Sequence, residues 1–357
     1  MNFAVIPWIE ALMKDHLFEI KDATDNPDNR YTPFLEMKAE FERRGDRFHT
    51  IDMYENLESV DWFLFFEQND IWMERIIRAG KASRMVYCNA EPPAVYPWNS
   101  PEGYKILKRY FPYIMTWNDD WVDNDTVFKR NIPYYFVDHR QPNEWAERKL
   151  LTSISGNKKS NDQNELYSER ERVISFFEKH EPEKFDFYGT GWDKKVHPAY
   201  QGTVISKAET YRKYKFCICF ENSRNLKGYI TEKILDCFTS GIVPIYAGAP
   251  NVSQYIPTGT YIDYFHFQTP EDLDRYLQNM TKEEYDQYLR EADEFLQSAK
   301  IEVFMGKRYA EYVYEMIRKE KCFSVKNADV MKLVFKNRMA LTKKFIKRLL
   351  LREKMQY

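Results

Sequence analysis

Residues 214–248, YKFCICFENSRNLKGYITEKILDCFTSGIVPIYAG, contain the succession of elements that decides the fold. The pattern predicts a buried strand from Phe216 to Phe220, a polar loop, a helix beginning at Thr231 and a second buried strand near Val243. The polar loop then joins the carboxyl end of a strand to the amino end of a helix, where open α/β sheets bind nucleotides. The unpaired N–H groups of such a helix end suit a phosphate group.

The first turn of this predicted helix carries polar groups. Thr231 can cap the helix, and Glu232 and Lys233 follow about 100° apart around its axis. The carboxylate can hold ribose hydroxyls while the ammonium group neutralises a diphosphate. A capped surface helix with an exposed ion pair explains the same spacing equally well. Glu221 ends the buried strand, and because an unpaired buried carboxylate is costly, it must pair within the protein or face the ligand; pairing is favoured.

The run FENSRNLKGYITEK, residues 220–233, resembles the signature of glycosyltransferase family 10, the α-1,3/4-fucosyltransferases. The resemblance is strongest from Phe185 to Leu277 and is collinear but weaker before that segment. It implies an α/β protein of the GT-B class, in which two Rossmann-like domains face a central cleft. It also implies a glycosyltransferase that moves L-fucose from GDP-fucose to a sugar hydroxyl with inversion.

Strand and helix signals alternate along the chain, which predicts parallel sheets covered by helices. The predicted strands are Phe3–Ile6, Phe48–Ile51, Trp62–Phe66, Met85–Asn89, Tyr113–Trp117, Leu150–Ser155 and Phe185–Tyr188, and the predicted helices are Phe34–Arg43, Trp72–Ala79, Tyr104–Tyr110, Ser168–Lys179 and Lys207–Tyr214. The polar stretch from Asp138 to Arg148, which includes Pro142, is the expected hinge. We therefore expect an N-terminal acceptor-binding Rossmann-like domain over 1–140, a C-terminal GDP-sugar-binding Rossmann-like domain over 149–325, and a basic amphipathic helical tail over 326–357.

Composition limits the class of protein. A net charge of −2 excludes a globally basic nucleic-acid binder. The odd number of cysteines, several of them inside apolar runs, suits buried thiols in a reducing compartment. Charged residues follow the amino terminus too soon for a signal peptide, and no segment approaches the roughly 20 apolar residues of a membrane span. We expect a cytoplasmic protein, similar to a bacterial or viral member of the family.

A transfer with inversion needs a base for the acceptor hydroxyl, positive charge for the departing diphosphate, and groups held in line. The candidate base is Glu91 in CNAEPPAVYP, residues 88–97. It follows a predicted buried strand, and Pro92 and Pro93 restrict the backbone after it. The resemblance implies the same role, although the family often has Ser after this Glu. Without the resemblance, Glu91 would more simply cap a turn.

The resemblance assigns four further positions to the donor. It implies that Lys233 binds the diphosphate, that Glu232 binds ribose or fucose hydroxyls, and that Asn222 and Tyr229 contribute hydrogen bonds or stacking.

Relatives usually add an Arg from the loop before the YKF strand. That loop here, GTGWDKKVHPAYQG at 189–202, contains no Arg. Lys194 or Lys195 is the expected replacement, with Lys195 the first choice. A lysine offers a point charge rather than the bidentate fork of Arg, so it would fix the diphosphate less firmly.

We expect no metal ligands and no obligatory cofactor, GDP-fucose being a substrate. The one sequence that suggests a metal is Asp123-Asn124-Asp125, because such acidic pairs hold divalent ions in other glycosyltransferases. A solvated or acceptor-side turn is the favoured interpretation of this segment.

The carboxyl-terminal segment 331–357 is amphipathic and basic, with nine Lys and Arg against one Glu. A helix of this kind can lie on an anionic membrane and bring an enzyme to a lipid-linked acceptor. It can also pack on its own protein or on a partner subunit. The membrane is favoured, at the inner face of the cell membrane.

The acceptor is not encoded in any motif. An N-acetyllactosamine-type glycan, an O-antigen of lipopolysaccharide or another surface glycan is the expectation, with an α-1,3 linkage. The loops from Asp22 to Arg30 and from Tyr96 to Glu102 are the expected determinants of acceptor choice. Two alternatives remain, namely a GT-B transferase for another nucleotide sugar and a catalytically degraded sugar-binding relative.

Overall fold

The computed structural model describes residues 1–19, 26–140, 145–319 and 322–354. Two separate parallel β-sheets organise the chain. The first has the order β2-β1-β3-β4-β5-β6 and the second the order β11-β10-β9-β7-β8. The strands are β1 Asn2–Ile6, β2 Arg47–Thr50, β3 Trp62–Phe66, β4 Met85–Cys88, β5 Tyr113–Thr116, β6 Val127–Lys129, β7 Lys149–Ile154, β8 Phe185–Tyr188, β9 Tyr214–Phe220, β10 Val243–Ala247 and β11 Ile262–Asp263.

Helices cover the faces of both sheets, as parallel strands require for their connections. They are α1 Thr32–Arg43, α2 Asp70–Arg78, α3 Pro101–Leu107, α4 Tyr167–His180, α5 Lys207–Tyr211, α6 Glu232–Ser240, α7 Pro270–Asn279, α8 Lys282–Gln297, α9 Gly306–Ile317 and α10 Asn327–Lys354. Central strands such as β3 are buried along their whole length, which explains their continuous apolar sequences.

The predicted α/β class is confirmed, and each predicted strand and helix has a counterpart at the expected place. One predicted helix is shorter than expected. α5 ends at Tyr211, because Tyr214 already pairs with Lys149 in the second sheet. Pro142 of the expected hinge and residues 355–357 of the expected tail lie outside the described residues.

The chain returns to the first sheet near its carboxyl end. Tyr309 and Val313 of α9 are buried in the core of the first sheet, against α1. Gly306 permits this approach, since a Cβ there would lie 2.3 Å from the carbonyl oxygen of Pro33. Residues 306–317, which the sequence-based division placed in the second domain, therefore pack with the first sheet because their apolar stripe completes its core.

We call each sheet with the helices that cover it a unit, and the amino-terminal half of α10 also packs on the first unit. Leu333 and Val334 are buried, and the Asn337 amide donates to the Asp70 carbonyl oxygen at 2.9 Å and to Glu74 Oε2 at 2.7 Å, both on α2. Of the helices in the described ranges, none combines the length and apolarity needed to cross a membrane.

Candidate active site

A cavity of about 460 Å³ opens between the two sheets, at the carboxyl ends of β7, β8 and β9 and at the amino end of α6. Its lining residues come from both units. The first unit contributes Glu91, and the second contributes Asn222, Tyr229, Glu232 and Lys233. The structure therefore brings five of the six predicted site residues together.

The sixth residue, Lys195, is not brought to the cavity. Lys194 and Lys195 are exposed in a turn where the Asp193 carboxylate accepts the N–H of Lys195 at 2.9 Å. This turn keeps both lysines on the outer surface, although Gly189 and Thr190 of the same loop line the cavity. The further basic residues that line it are Lys158, Arg170 and Lys207.

Two of these three cations are already engaged within the protein. Arg170 is buried and donates to the carbonyl oxygens of Phe220 and Glu221, at 2.6 and 2.9 Å. Lys207 donates to Asp236 at 2.7 Å. Lys158 is exposed and lies on the loop after β7, so it is the cation most available to a ligand.

The amino end of α6 is fixed by a buried carboxylate. Glu221 accepts the backbone N–H of Thr231 at 2.8 Å and its hydroxyl at 2.7 Å, and Lys233 Nζ lies 3.2 Å from Glu221 Oε2. Thr231 caps the helix, as predicted. Glu221 thus pairs within the protein, which was the favoured alternative.

Glu232 and Lys233 are both charged at neutral pH. Burial favours the neutral carboxyl group of Glu232, but the charges of Lys233 and Lys207 lower its pKa to about 2. Burial likewise opposes the ammonium form of Lys233, but the charges of Glu232 and Glu221 hold its pKa above the ordinary value. The helix start therefore presents a carboxylate and an ammonium group to the cavity side by side.

Tyr229 and Asn222 differ in how much they offer a ligand. Tyr229 is buried, and its ring packs against that of Trp117 of the first unit with centroids 4.8 Å apart. Asn222 is half-buried, and its carbonyl oxygen accepts the N–H of Leu166. Both residues line the cavity, but Tyr229 mainly joins the two units.

Glu91 follows β4 at the edge of the first sheet, as predicted, and is half-buried. Burial raises the pKa of its carboxyl group, an effect that the charge of Lys233 opposes and the charges of Glu232 and Glu67 reinforce. A raised pKa makes a carboxylate a stronger base.

Sequence reasoning missed the residues that hold the Glu91 loop. Glu67 Oε1 accepts the backbone N–H groups of Ala90 and Glu91 at 2.7 and 2.9 Å. The Asn99 amide donates to the Glu91 carbonyl oxygen at 2.7 Å. A signal for Glu67 did exist, because Glu67 and Glu91 each follow a buried strand, and the carboxyl ends of neighbouring parallel strands meet at one edge.

A second cavity of about 690 Å³ adjoins the first and shares Glu91, Glu232 and Lys207 with it. Aromatic rings form part of its wall. They include those of Trp8, Tyr31, Phe34 and Tyr96 of the first unit. A cavity with aromatic walls and a few convergent polar groups is typical of a binding site for an organic ligand.

The acidic run at 123–125 forms a turn. The Asp123 carboxylate accepts the N–H groups of Asp125 and Val127 at 2.9 and 2.7 Å and the hydroxyl of Thr126 at 2.7 Å. Partial burial opposes ionisation, but these hydrogen bonds hold the pKa of Asp123 well below its usual range. In the part of the chain that the structure describes, no group of three His, Cys, Asp or Glu side chains has a geometry suited to a metal ion.

Known proteins are similar to this chain in sequence and in fold. The family model described as glycosyltransferase family 10 (fucosyltransferase), C-terminal, matches residues 148–322. The 3-galactosyl-N-acetylglucosaminide 4-alpha-L-fucosyltransferase of Homo sapiens is 29% identical over 213 residues, 57% of this chain and 51% of that protein. The alpha-(1,3)-fucosyltransferase FucT of Helicobacter pylori is 38% identical over 77 residues, 21% of this chain and 16% of that protein.

The chain spans about half the length of the first curated relatives that it matches. The crystal structure of an alpha1,3-fucosyltransferase with GDP-fucose superimposes with a TM-score of 0.58 at 16% identity, over 90% of this chain and 92% of that one. That similarity shows the fold, in which the two facing parallel sheets are those of a GT-B protein. Through residues 148–322 the chain belongs to glycosyltransferase family 10, the fucosyltransferase family.

Proposed function

We propose that this protein is an inverting glycosyltransferase that moves L-fucose from GDP-fucose to a hydroxyl of a glycan, forming an α-1,3 linkage. One observation carries the proposal. The same cavity contains Glu91 from the first unit and the charged pair Glu232 and Lys233 at the start of α6 in the second. A carboxylate suited to act as a base and a helix end suited to bind a diphosphate thus face each other across the cleft. The relatives are named as fucosyltransferases, and the superimposed structure is that of an alpha1,3-fucosyltransferase with GDP-fucose, which supports this donor.

In the proposed reaction, Glu91 removes the proton from the acceptor hydroxyl. The hydroxyl oxygen then bonds to the anomeric carbon of fucose from the face opposite the phosphate, and the bond to the phosphate oxygen breaks. GDP leaves with that electron pair, and the anomeric configuration inverts. General-base catalysis of this kind contributes roughly 10²- to 10⁴-fold to the rate.

The diphosphate is proposed to bind at the amino end of α6. Lys233 supplies a charge there, and the amino end of the helix, which Thr231 caps, adds a partial positive charge. Lys158, rather than Lys195, is proposed as the second cation because it lines the cavity and is exposed. Glu232 and Asn222 are proposed to bind hydroxyls of the donor. The proposed chemistry assigns no step to a metal or cofactor.

The acceptor is proposed to bind in the second cavity, where Glu91 is shared with the donor site. Its aromatic wall offers flat apolar surfaces to the faces of pyranose rings, and its rim offers hydrogen-bonding groups. This suits an oligosaccharide of the N-acetyllactosamine type or a bacterial surface glycan such as an O-antigen.

Calorimetric titration tests the donor assignment. We expect GDP-fucose to bind more tightly than UDP-galactose, and Lys233→Met to weaken GDP-fucose binding. Equal or tighter binding of a uridine sugar would contradict the proposal and favour a GT-B transferase for another donor. GDP-fucose binding with no turnover on any glycan would favour the alternative that this chain is a catalytically degraded, sugar-binding protein.

For the tail we propose peripheral attachment to an anionic membrane at the cytoplasmic face. With Leu333 and Val334 packed inward, the outer side of α10 exposes Met331, Phe335 and Met339, at 67, 68 and 45%. These three lie at i, i+4 and i+8 on one face, among basic residues, which fits an interfacial helix.

Co-sedimentation of the full chain with vesicles of phosphatidylglycerol tests this surface. We expect binding that is lost in the Met331→Gln, Phe335→Gln, Met339→Gln triple variant and that is weak on phosphatidylcholine. Unchanged binding of the triple variant would refute the membrane surface. A concentration-dependent dimer that the variant abolishes would assign the same face to a second copy.

A further inference from the structure

We infer that Glu67 is a positioning residue for the transfer reaction, because its buried carboxylate fixes the backbone that carries Glu91. The inference rests on the proposed role of Glu91 as the base. Glu67 does not line the donor cavity. It lines the second cavity, where the acceptor is proposed to bind, but both of its carboxylate oxygens already accept hydrogen bonds from the protein, so it acts through Glu91.

Both oxygens of Glu67 are occupied by hydrogen bonds. Oε1 accepts the N–H groups of Ala90 and Glu91, and Oε2 accepts the hydroxyl of Tyr87 at 2.6 Å. The Asn99 amide contacts both oxygens, at 3.2 and 3.1 Å, and also donates to the Glu91 carbonyl oxygen. Glu67 and Asn99 thus hold the backbone of residue 91 on its N–H side and on its carbonyl side.

The arrangement is specific to a buried carboxylate. Glu67 is 7% exposed and has a φ of +70°, a left-handed conformation that is unfavourable for a residue with a Cβ. The hydrogen bonds offset that strain, since those to an ionised acceptor are roughly twice as strong as neutral ones. A residue that only filled space at this strand end would not need φ above zero or four donors.

The carboxylate of Glu67 has a second effect on Glu91. Its negative charge raises the pKa of the Glu91 carboxyl group, in addition to the larger effect of burial. The other charges that face Glu91 are Lys233, Glu232 and Lys158, of which the two lysines act in the opposite direction. Removing the charge of Glu67 therefore lowers the pKa of Glu91. The acid limb of the pH profile, in which kcat/KM falls as Glu91 becomes protonated, then moves to lower pH.

The variant Glu67→Gln tests the inference, with Asp123→Asn as its matched control. Asp123 also accepts backbone N–H groups with its carboxylate, but it lines neither of the two cavities.

In Glu67→Gln we expect kcat to fall by about 10- to 100-fold, the loss typical of a misplaced catalytic group. GDP-fucose affinity should stay within about twofold of wild type, since Glu67 does not line the donor cavity. The acid limb should move to lower pH, and amide exchange at residues 90 and 91 should accelerate. Asp123→Asn should change none of these four quantities.

Suppose that Glu91→Gln inactivates the enzyme while Glu67→Gln keeps the wild-type kcat and an unchanged acid side of the pH profile. That result would overturn the role of Glu67 and leave the proposed function intact. In the Glu91→Gln background, Glu67→Gln should cost at most about threefold more, because the two residues act as a unit. If the wild-type protein transfers no fucose, the proposed function is refuted. Amide exchange at residues 90 and 91 would then still test whether Glu67 fixes the backbone of Glu91. If Glu67→Gln does not fold, Tyr87→Phe removes one of the four donors and should accelerate the same exchange; unchanged exchange there would contradict the inference.

Discussion

The Nζ of Lys233 lies 3.2 Å from the carboxylate of Glu221, which is completely buried at the end of β9. This pair ties the first turn of α6 to the strand before it. It also means that the cation facing the donor cavity is held by a group that no ligand can reach. The site is therefore preorganised, and ligand binding does not have to order Lys233.

We expect Glu221→Gln to destabilise the protein by about 3 kcal/mol, because breaking a buried ion pair leaves an uncompensated charge. Thr231 would also lose a strong acceptor for its N–H and its hydroxyl. Urea denaturation measures the difference. Glu232→Gln is the control, since its side chain is partly exposed, and should cost less than about 1 kcal/mol. Equal losses in the two variants would contradict this account.

The cation assignment predicts a contrast between two loop lysines. Lys158→Met should weaken GDP binding by about tenfold or more, the value of one hydrogen bond to a charged group. Lys195→Met should leave GDP binding unchanged, because Lys195 is exposed outside the cavity. Calorimetry with GDP measures both variants. The reverse order would restore the role that the sequence suggested for Lys195.

Activity should depend on pH through Glu91. The base must be deprotonated, so kcat/KM rises as pH increases through the pKa of Glu91 and falls below it. Because burial raises that pKa, the loss on the acid side should begin at a higher pH than for an ordinary glutamate. A pH–rate profile with GDP-fucose and a saturating glycan measures the limb. A profile with no acid limb down to the ordinary carboxyl pKa would contradict the assignment of Glu91.

Gly189 should tolerate no side chain. Its φ is +138°, and a Cβ would lie 1.9 Å from the carbonyl oxygen of Ser155 at the rim of the donor cavity. Gly189→Ala should lose roughly 2 kcal/mol or more of stability and should weaken GDP binding. Gly202→Ala is the control, because φ there is +98° but nothing lies within 4 Å. Similar stability of the two variants would show that the contact with Ser155 does not matter.

Those site residues that directly follow a strand or open a helix could be predicted from the sequence. Glu91 follows a buried strand of the first sheet, Asn222 follows one of the second, and Glu232 and Lys233 open a helix, so parallel topology brings each of them to the carboxyl edge of its own sheet. That the two edges face each other was implied only by the resemblance to a GT-B family. The structure does not bring Lys195 to the cavity, because loop 189–202 contains a turn at Asp193 that leaves Lys194 and Lys195 on the outer surface. The amino-acid types of the loop do not predict that direction.

Two other features depend on contacts between distant segments. Glu67 acquires its role because β3 pairs with β4, and strand order cannot be inferred from a single strand. The return of α9 to the first sheet depends on the fit between Gly306 and Pro33, far apart in sequence. Periodicity identifies an apolar helix face but does not say which core that face completes.

GDP release from the purified full chain, given GDP-fucose and N-acetyllactosamine with EDTA present, tests the central claim most directly. We predict release that requires the acceptor, that persists in EDTA, and that Glu91→Gln reduces by at least about 100-fold while GDP-fucose still binds. Acceptor-independent release, or full activity in Glu91→Gln, would contradict the account of a fucosyl transfer that uses Glu91 as its base.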